Sequence, residues 1–174
     1  MTRTVRALDG LSRLGATEFV HCGDLGTPEV LTQLAARGVP FVWGNNDEPD
    51  LALIAYARNM GVAPASVPLR LTLGQLHIAI FHGHEKTFWR LLTAAEGGDA
   101  ASVHTLIGEA SVVLFGHTHY AEDRTMGGVR FVNPGALHRA SRFTVATLDI
   151  ETNELRFWVV SDERDELQPY ELRQ

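Results

Sequence analysis

The feature that most constrains the fold is an apolar segment that ends in a glycine and two histidines. Residues 111–115 have the composition of a buried strand, and Gly116, His117, Thr118 and His119 follow directly. Side chains two residues apart in an extended segment point the same way, so both imidazoles can face one point. Glycine lets the backbone come close to a group above the strand end. Because neutral imidazole is the commonest metal ligand, the segment fits either a metal site or a solvated polar loop.

Three other predicted strands also end at ligand-type side chains. The segments 18–21, 39–43 and 76–81 are followed by Gly23-Asp24, Gly44-Asn45 and His82-Gly83-His84. Sites in open α/β sheets form beyond the carboxyl ends of strands. A carboxylate, an amide oxygen and imidazoles suit Mn, Fe, Co, Ni or Zn better than Ca or Mg. The joint pattern favours a metal site, although Asp24 alone also fits a helix cap or turn, and Asn45 alone a turn.

Helical and strand-like segments alternate in the first third of the chain. Helices are predicted over 3–14, 28–36 and 49–59, with strands over 18–21 and 39–43 between them. This alternation is typical of α/β units in which at least part of the sheet is parallel.

The middle of the chain begins with a predicted hairpin. Its strands, 67–73 and 76–81, are joined at Gly74-Gln75. Helices are predicted to follow over 87–96 and from an Asp99 cap to residue 107.

The last part of the chain is predicted to be rich in strands. Four segments share short connections, which predicts an antiparallel meander: 111–115, 129–132, 143–150 and 155–160. The charged tail 161–174 is predicted to be a surface strand or coil. No repeat or linker interrupts the pattern, so residues 1–174 are predicted to form one domain.

Composition argues against several classes of protein. The chain has 174 residues, of which 45% are hydrophobic, which is enough for a sizeable core. No apolar run reaches the ~18–20 residues of a membrane span, and residues 1–6 lack the apolar core of a signal peptide, so we expect a cytoplasmic protein. A net charge of −6 argues against long nucleic acid as a partner. The one cysteine, Cys22, is interpreted as a partly buried filler.

In their order, these motifs resemble those of the calcineurin-like metallophosphoesterase superfamily. The matching segments are Gly23-Asp24, Gly44-Asn45-Asn46-Asp47, His82-Gly83-His84, Gly116-His117-Thr118-His119 and Asn133-Pro134-Gly135. The chain is most similar to the small bacterial and archaeal phosphodiesterases of that family. The resemblance implies an α/β fold, a four-layer α/β/β/α sandwich of two mixed sheets flanked by helices, with two divalent metals between the sheets.

The resemblance also implies roles for the matching residues. Asp24 would bridge both metals, and His119 would bind the first. The second metal would be bound by Asn45, His82 and His117. Asn46 is the predicted catalytic position, because related phosphatases place a catalytic histidine there.

Further residues are expected at the edge of this site. His84 and Arg142 are the predicted substrate-binding residues, with Arg139 as an alternative to Arg142 and a solvated arginine as the other interpretation of both. Residues 133–135 would form a structural turn.

One departure from the family pattern concerns the N-terminus. The family begins with a strand that ends in Asp-x-His and supplies two ligands to the first metal, whereas this sequence has no such segment. Asp9-Gly10 is no substitute, because it lies within a helical pattern and leucine stands two residues after Asp9. We therefore expect the first strand to be missing and the first metal site to be impaired. Three explanations stay open: the start omits residues of the natural protein, the protein is a one-metal or inactive member, or another subunit supplies the strand, since an unpaired edge favours dimerisation.

The activity that the resemblance implies is phosphodiester hydrolysis. A metal-bound hydroxide would attack phosphorus in line while the cations neutralise the phosphate oxygens. Mn²⁺ is the predicted metal, with Fe, Ni, Co or Zn as alternatives. The predicted partners are a small phosphate ester and, in a homodimer, a second copy of the chain. The alternative function is a non-catalytic scaffold of the same fold, similar to a protein-sorting subunit of the superfamily.

Overall fold

The computed structural model describes residues 2–48, 50–64 and 66–172, which contain five helices and eight strands. The helices are α1 (Arg3–Arg13), α2 (Pro28–Ala36), α3 (Leu51–Asn59), α4 (Lys86–Glu96) and α5 (Ala100–Ile107). The strands are β1 (Leu69–Leu73), β2 (Leu76–Ile80), β3 (Val112–Leu114), β4 (Ala121–Met126), β5 (Val129–Pro134), β6 (Thr144–Leu148), β7 (Leu155–Val159) and β8 (Gln168–Tyr170). None of the described helices has the length and apolar composition needed to cross a membrane.

Capping residues set the helix boundaries. Thr27 accepts a hydrogen bond from the backbone N–H of Val30 and precedes Pro28 at the start of α2. Asp99 caps α5 in the predicted place. The third helix begins later than predicted, because Asp50 accepts from the first turn and is its N-cap. The predicted first residue of that helix, 49, lies outside the described residues.

The larger sheet is mixed and has the order β1-β2-β3-β5-β4. The predicted hairpin is confirmed, since β1 and β2 pair antiparallel. Strands β2, β3 and β5 are parallel, whereas β4 pairs antiparallel with β5. The predicted meander is therefore wrong between β3 and β5. Between β3 and β5 the chain forms β4, a polar edge strand that lacks an apolar run. Because β4 pairs antiparallel with β5, β5 enters the sheet in the same direction as β3.

The smaller sheet is antiparallel, with the order β6-β7-β8. The predicted turn between β6 and β7 is present, and β8 forms in the tail. Strands β5 and β6 belong to different sheets, which is a second departure from the meander.

Three apolar clusters separate four layers. The first lies between α4, α5 and one face of the larger sheet, and includes Phe88 and Phe131. The second lies on the other face of that sheet, where Ile80 packs near Val42. The third joins α1, α2 and α3 and includes Leu31. Alternate residues of each extended segment face different clusters, which gives the predicted α/β/β/α order.

The predicted strands 18–21 and 39–43 form only one isolated parallel bridge, between His21 and Phe41. His21 N–H donates to the Pro40 carbonyl at 3.0 Å, and Val42 N–H donates to the His21 carbonyl at 3.3 Å. The next rung would need an N–H from Pro40, which proline lacks. On the other side, Gly44 N–H donates instead to Asp47 Oδ2 at 2.9 Å. The ladder therefore stops on both sides, and these segments are extended without being regular strands.

Candidate metal centre

Four predicted ligands meet where the extended segments end. Asn45 Oδ1 lies 3.1 Å from His82 Nε2 and 2.9 Å from His117 Nδ1. Asp24 Oδ2 lies 3.5 Å from the same Nε2 atom of His82. The rings of His82 and His117 are 5.2 Å apart between centroids. Side chains from four loops thus converge within the dimensions of one coordination sphere.

His82 is fixed in the tautomer that suits a metal ligand. Its side chain is 2% exposed, and Nδ1 lies 2.6 Å from the carbonyl oxygen of Cys22. A carbonyl only accepts, so Nδ1 carries the proton and neutral His82 presents a lone pair at Nε2. That lone pair faces the amide oxygen of Asn45 and the carboxylate of Asp24. Three acceptors that face one another are stabilised by a positive charge between them, either a proton on Nε2 or a bound cation, and a carboxylate, an amide oxygen and imidazoles are donors that fit a divalent transition metal.

Asp47 ties two ligand-bearing loops together. It is fully buried, and its carboxylate accepts from the N–H groups of Leu25 at 3.0 Å, Gly26 at 3.1 Å and Gly44 at 2.9 Å. A carboxylate that accepts several backbone N–H groups is strongly held. Sequence reasoning gave Asp47 no role. Its position directly after Asn45-Asn46 was the only available signal.

Among the hydrogen bonds of the described residues, those of Asn46 to the site go to Asp24. Its side-chain amide donates to Asp24 Oδ2 at 2.6 Å, and its backbone N–H donates to Oδ1 at 3.1 Å. Asp24 has a φ of +56°, which few non-glycine residues adopt. Gly44 lies so close to Asp24 that a Cβ there would overlap the carboxylate. The contacts give Asn46 an orienting function toward Asp24, and its catalytic role stays a prediction.

His119 lies in the same loop as His117 but has a different partner. Its Nδ1 lies 3.1 Å from the carbonyl of Arg139, so Nδ1 donates and Nε2 is available as a ligand atom. Both histidines have positive φ angles, +66° and +64°. Buried Asn133 supports the loop by donating to the Gly116 carbonyl at 2.8 Å. The predicted turn at 133–135 is wrong for Asn133 and Pro134, which form the end of β5, and it is this strand end that contacts the histidine loop.

The two predicted substrate-binding residues differ in position. The ring of His84 lies 5.3 Å from His82 and 6.2 Å from His117 between centroids, so His84 borders the cluster. The guanidinium of Arg142 lies 5.9 Å from the ring centre of Tyr170 on β8. Among the described contacts, none joins Arg142 to the ligand cluster.

Burial shifts the pKa values of several groups here. Desolvation lowers the pKa of His117, with His82 and His84 adding to the effect. Desolvation also lowers the pKa of His21 to about 4, although Asp47 opposes it. Burial raises the pKa of the Cys22 thiol to about 12. The imidazole of His117 is thereby kept in its neutral, ligating form, and Cys22 is not a thiolate nucleophile at neutral pH.

Asn45 is indispensable to the proposed donor set. Within the described part of the chain, no group of three His, Cys, Asp or Glu side chains converges closely enough to hold a metal. The cluster has enough donors for a cation only when the amide oxygen of Asn45 is counted with the imidazoles and Asp24. The oxygen is the atom that both imidazoles approach.

Solved structures with similar folds come from several organisms. The chain is similar to an archaeal phosphodiesterase, with 22% identity, a TM-score of 0.66, and 90% of this chain and 91% of that chain covered. It is also similar to Vps29 of Entamoeba histolytica, solved with zinc, at 18% identity and a TM-score of 0.53, with 92% and 85% covered. The phosphoesterase YfcE of E. coli shares 18% identity at a TM-score of 0.53, with 95% and 88% covered. At these identities the likeness shows the fold.

Sequence comparison supplies the family. No curated protein matches the chain. The family model described as the calcineurin-like phosphoesterase superfamily domain matches residues 1–153. Because that match spans most of the chain and the fold agrees with it, the protein belongs to the calcineurin-like phosphoesterase superfamily.

Proposed function

We propose that this protein is a divalent-metal-dependent phosphoesterase that hydrolyses phosphodiesters of small molecules. The observation that carries the proposal is the placement of Asn45 Oδ1 between two imidazole nitrogens, with the proton of His82 held on its other nitrogen by the Cys22 carbonyl. The archaeal phosphodiesterase of similar fold supports the choice of a diester substrate.

The residues of the cluster have two kinds of role in this proposal, binding the cation and orienting a ligand. A bound divalent cation supplies Lewis-acid stabilisation of phosphate charge and activates water. Asn45, His82 and His117 hold that cation together with Asp24. Asn46 keeps the Asp24 carboxylate oriented through two hydrogen bonds.

A second cation would use fewer groups of this chain. Asp24 and His119 are the residues proposed to bind it, and Mn²⁺ is the metal proposed for both positions. His84, which borders the cluster, and Arg142 are proposed to contact the phosphate. The homodimer remains a proposal, to be tested by the mass of the protein in solution.

The test is cleavage of a bis-aryl phosphodiester by the purified protein with Mn²⁺. We expect hydrolysis that is abolished by chelation of the metal. Asn45→Ala should lower the rate by at least about 100-fold, because loss of a metal ligand should reduce activity at least as much as loss of a residue that supports a ligand. Asn59→Ala, at an exposed position on α3, is the matched control and should keep full activity. A folded, metal-loaded protein with no turnover of aryl esters would contradict the proposal.

A non-catalytic scaffold of the same fold is the second candidate. The observation in its favour is that His82 already contacts both Asp24 and Asn45, and that the described residues lack a converging group of three His, Cys, Asp or Glu side chains. Metal analysis separates the candidates. A content near two ions per chain supports the enzyme, and a content near zero supports the scaffold.

A further inference from the structure

Glu85 has a hydrogen-bonding pattern that its position in the chain does not explain. It is the N-cap residue of α4, where a side chain ordinarily accepts from the N–H groups of the first helical turn. Here its side chain makes no such bond. It turns back toward the preceding loop, where Oε1 accepts from His82 N–H at 2.8 Å and Oε2 from Gly83 N–H at 2.7 Å.

This contact completes the fixation of His82. The His82 carbonyl accepts from Gly116 N–H at 2.8 Å, and its ring Nδ1 donates to the Cys22 carbonyl at 2.6 Å. The bond to Glu85 holds the remaining backbone group, the N–H. The backbone N–H, the backbone carbonyl and the ring of His82 are thus held by three different residues, Glu85, Gly116 and Cys22.

The same carboxylate fixes a turn that packs on the base of the His117 side chain. Gly83 has a φ of +116°, and a Cβ at this position would lie 3.2 Å from Cβ of His117. The turn therefore sets the spacing between the His82 and His117 loops. The side chain of Glu85 is only 13% exposed, so its charge-assisted hydrogen bonds are well shielded from water.

We infer that Glu85 is a positioning residue that sets the cation affinity of the candidate centre through His82. Its hydrogen bonds are to the backbone of residues 82 and 83, and its carboxylate lies 3.9 Å from Nδ1 of His84, which is beyond hydrogen-bonding distance. A glutamine at this position keeps the length of the side chain, but its NH₂ group cannot accept a backbone N–H. The inference rests on the proposed function, because it assumes that His82 binds a divalent cation.

The experiment is a titration of metal-free protein with Mn²⁺, followed by electron paramagnetic resonance, on wild type and Glu85→Gln. Partners that support a metal ligand typically change affinity 10- to 100-fold, so we expect the variant to bind Mn²⁺ about 10- to 100-fold more weakly. Hydrogen exchange of the His82 and Gly83 amides, measured without metal, should be faster in the variant. This second readout shows directly whether the loop has lost its anchor.

Two control variants remove the same charge elsewhere. Glu96→Gln lies at the exposed end of α4. Glu48→Gln removes a 55% exposed carboxylate that lies 3.4 Å from His84 Nε2, close to the cluster. Both should bind Mn²⁺ within about twofold of wild type, because exposed charges act weakly. Should Glu85→Gln fail to fold, Glu85→Asp, which is one methylene shorter, is expected to give a partial loss of affinity.

The outcomes separate this inference from the function on which it rests. If wild type binds Mn²⁺ and Glu85→Gln binds it equally well, the positioning role is wrong and the proposed function stands. Equal weakening by Glu48→Gln would show that charge alone matters and would also overturn the role. A wild type that binds no Mn²⁺ overturns the proposed function itself.

Discussion

Two residues next to the predicted ligands, His21 and Asp47, have polar side chains whose hydrogen bonds lie within the ligand-bearing segments. Asp47 is buried, and its carboxylate accepts hydrogen bonds from three backbone N–H groups. His21 accepts from Gly23 N–H at 3.2 Å through Nδ1, and burial lowers its pKa to about 4. A neutral imidazole is therefore part of the folded loop. His21, the last residue of the extended segment before the Asp24 loop, should therefore make stability depend on pH.

We predict that the metal-free protein loses stability between pH 6.5 and 4 because of His21. The unfolded chain takes up a proton near 6.5 and the folded chain only near 4, so unfolding binds protons in this interval and the free energy of unfolding rises with pH. Stability from His21 is thus complete above 6.5 and is lost as the pH falls to 4. Denaturant unfolding at about pH 7.5 and about pH 4 should show a fall roughly 2–3 kcal/mol larger in wild type than in His21→Gln. Equal falls in the two proteins would refute the assignment.

At the scale of elements, the pairing of residues 18–21 with 39–43 is the least regular part of the fold. One parallel bridge joins them, and Pro40 removes the donor that the next rung needs. The side chains still alternate between apolar clusters, with Phe41 on the helical side and Val42 on the side of the larger sheet. Packing therefore holds these segments extended where hydrogen bonding does not.

Pro40→Val tests this explanation. The valine N–H should donate to the Phe19 carbonyl and extend the ladder by one rung. The free energy of unfolding should change by less than about 1 kcal/mol, because the hydrogen bond gained and the rigidity of proline lost are similar in size. Hydrogen exchange followed by NMR is the measurement. A fast-exchanging amide at position 40 would show that something other than the missing donor ends the strand.

At the scale of the whole molecule, the candidate centre depends on two apolar clusters at once, the first and the third. His82 and His117 follow strands that pack on α4 and α5, whereas Asp24 and Asn45 follow segments that pack on α1, α2 and α3. A site built from both halves keeps its geometry only if the halves fold together. This is the physical content of the single-domain prediction for residues 1–174.

Two core truncations test whether unfolding is one transition. Phe131→Ala in the first apolar cluster and Leu31→Ala in the third remove fully buried side chains. They should lower the free energy of unfolding by about 3–5 and about 2–5 kcal/mol, respectively. Both should shift the same transition, as followed by tryptophan fluorescence and by circular dichroism. Leu51→Ala, at a residue 77% exposed, is the control for Leu31→Ala. Two transitions, each moved by only one truncation, would indicate two domains.

Local signals predicted most of the elements. Thr27-Pro28 and Asp99 mark helix starts through hydrogen bonds to residues only a few positions away. The polar edge strand β4 was missed, because an edge strand with one solvated side needs no apolar run. The parallel pairing of β3 with β5 was also missed, since strand direction depends on the path of the intervening chain.

The sequence by itself determined which side chains could serve a metal centre and that each follows an extended segment, because residue type and apolar patterning are local properties. Only the tertiary structure decided the rest: that Asn45 Oδ1 lies between imidazoles 37 and 72 residues away, and that Glu85 turns away from its own helix. Such contacts join loops remote in sequence, so their geometry follows from how the apolar layers pack. No local pattern of residues carries that information.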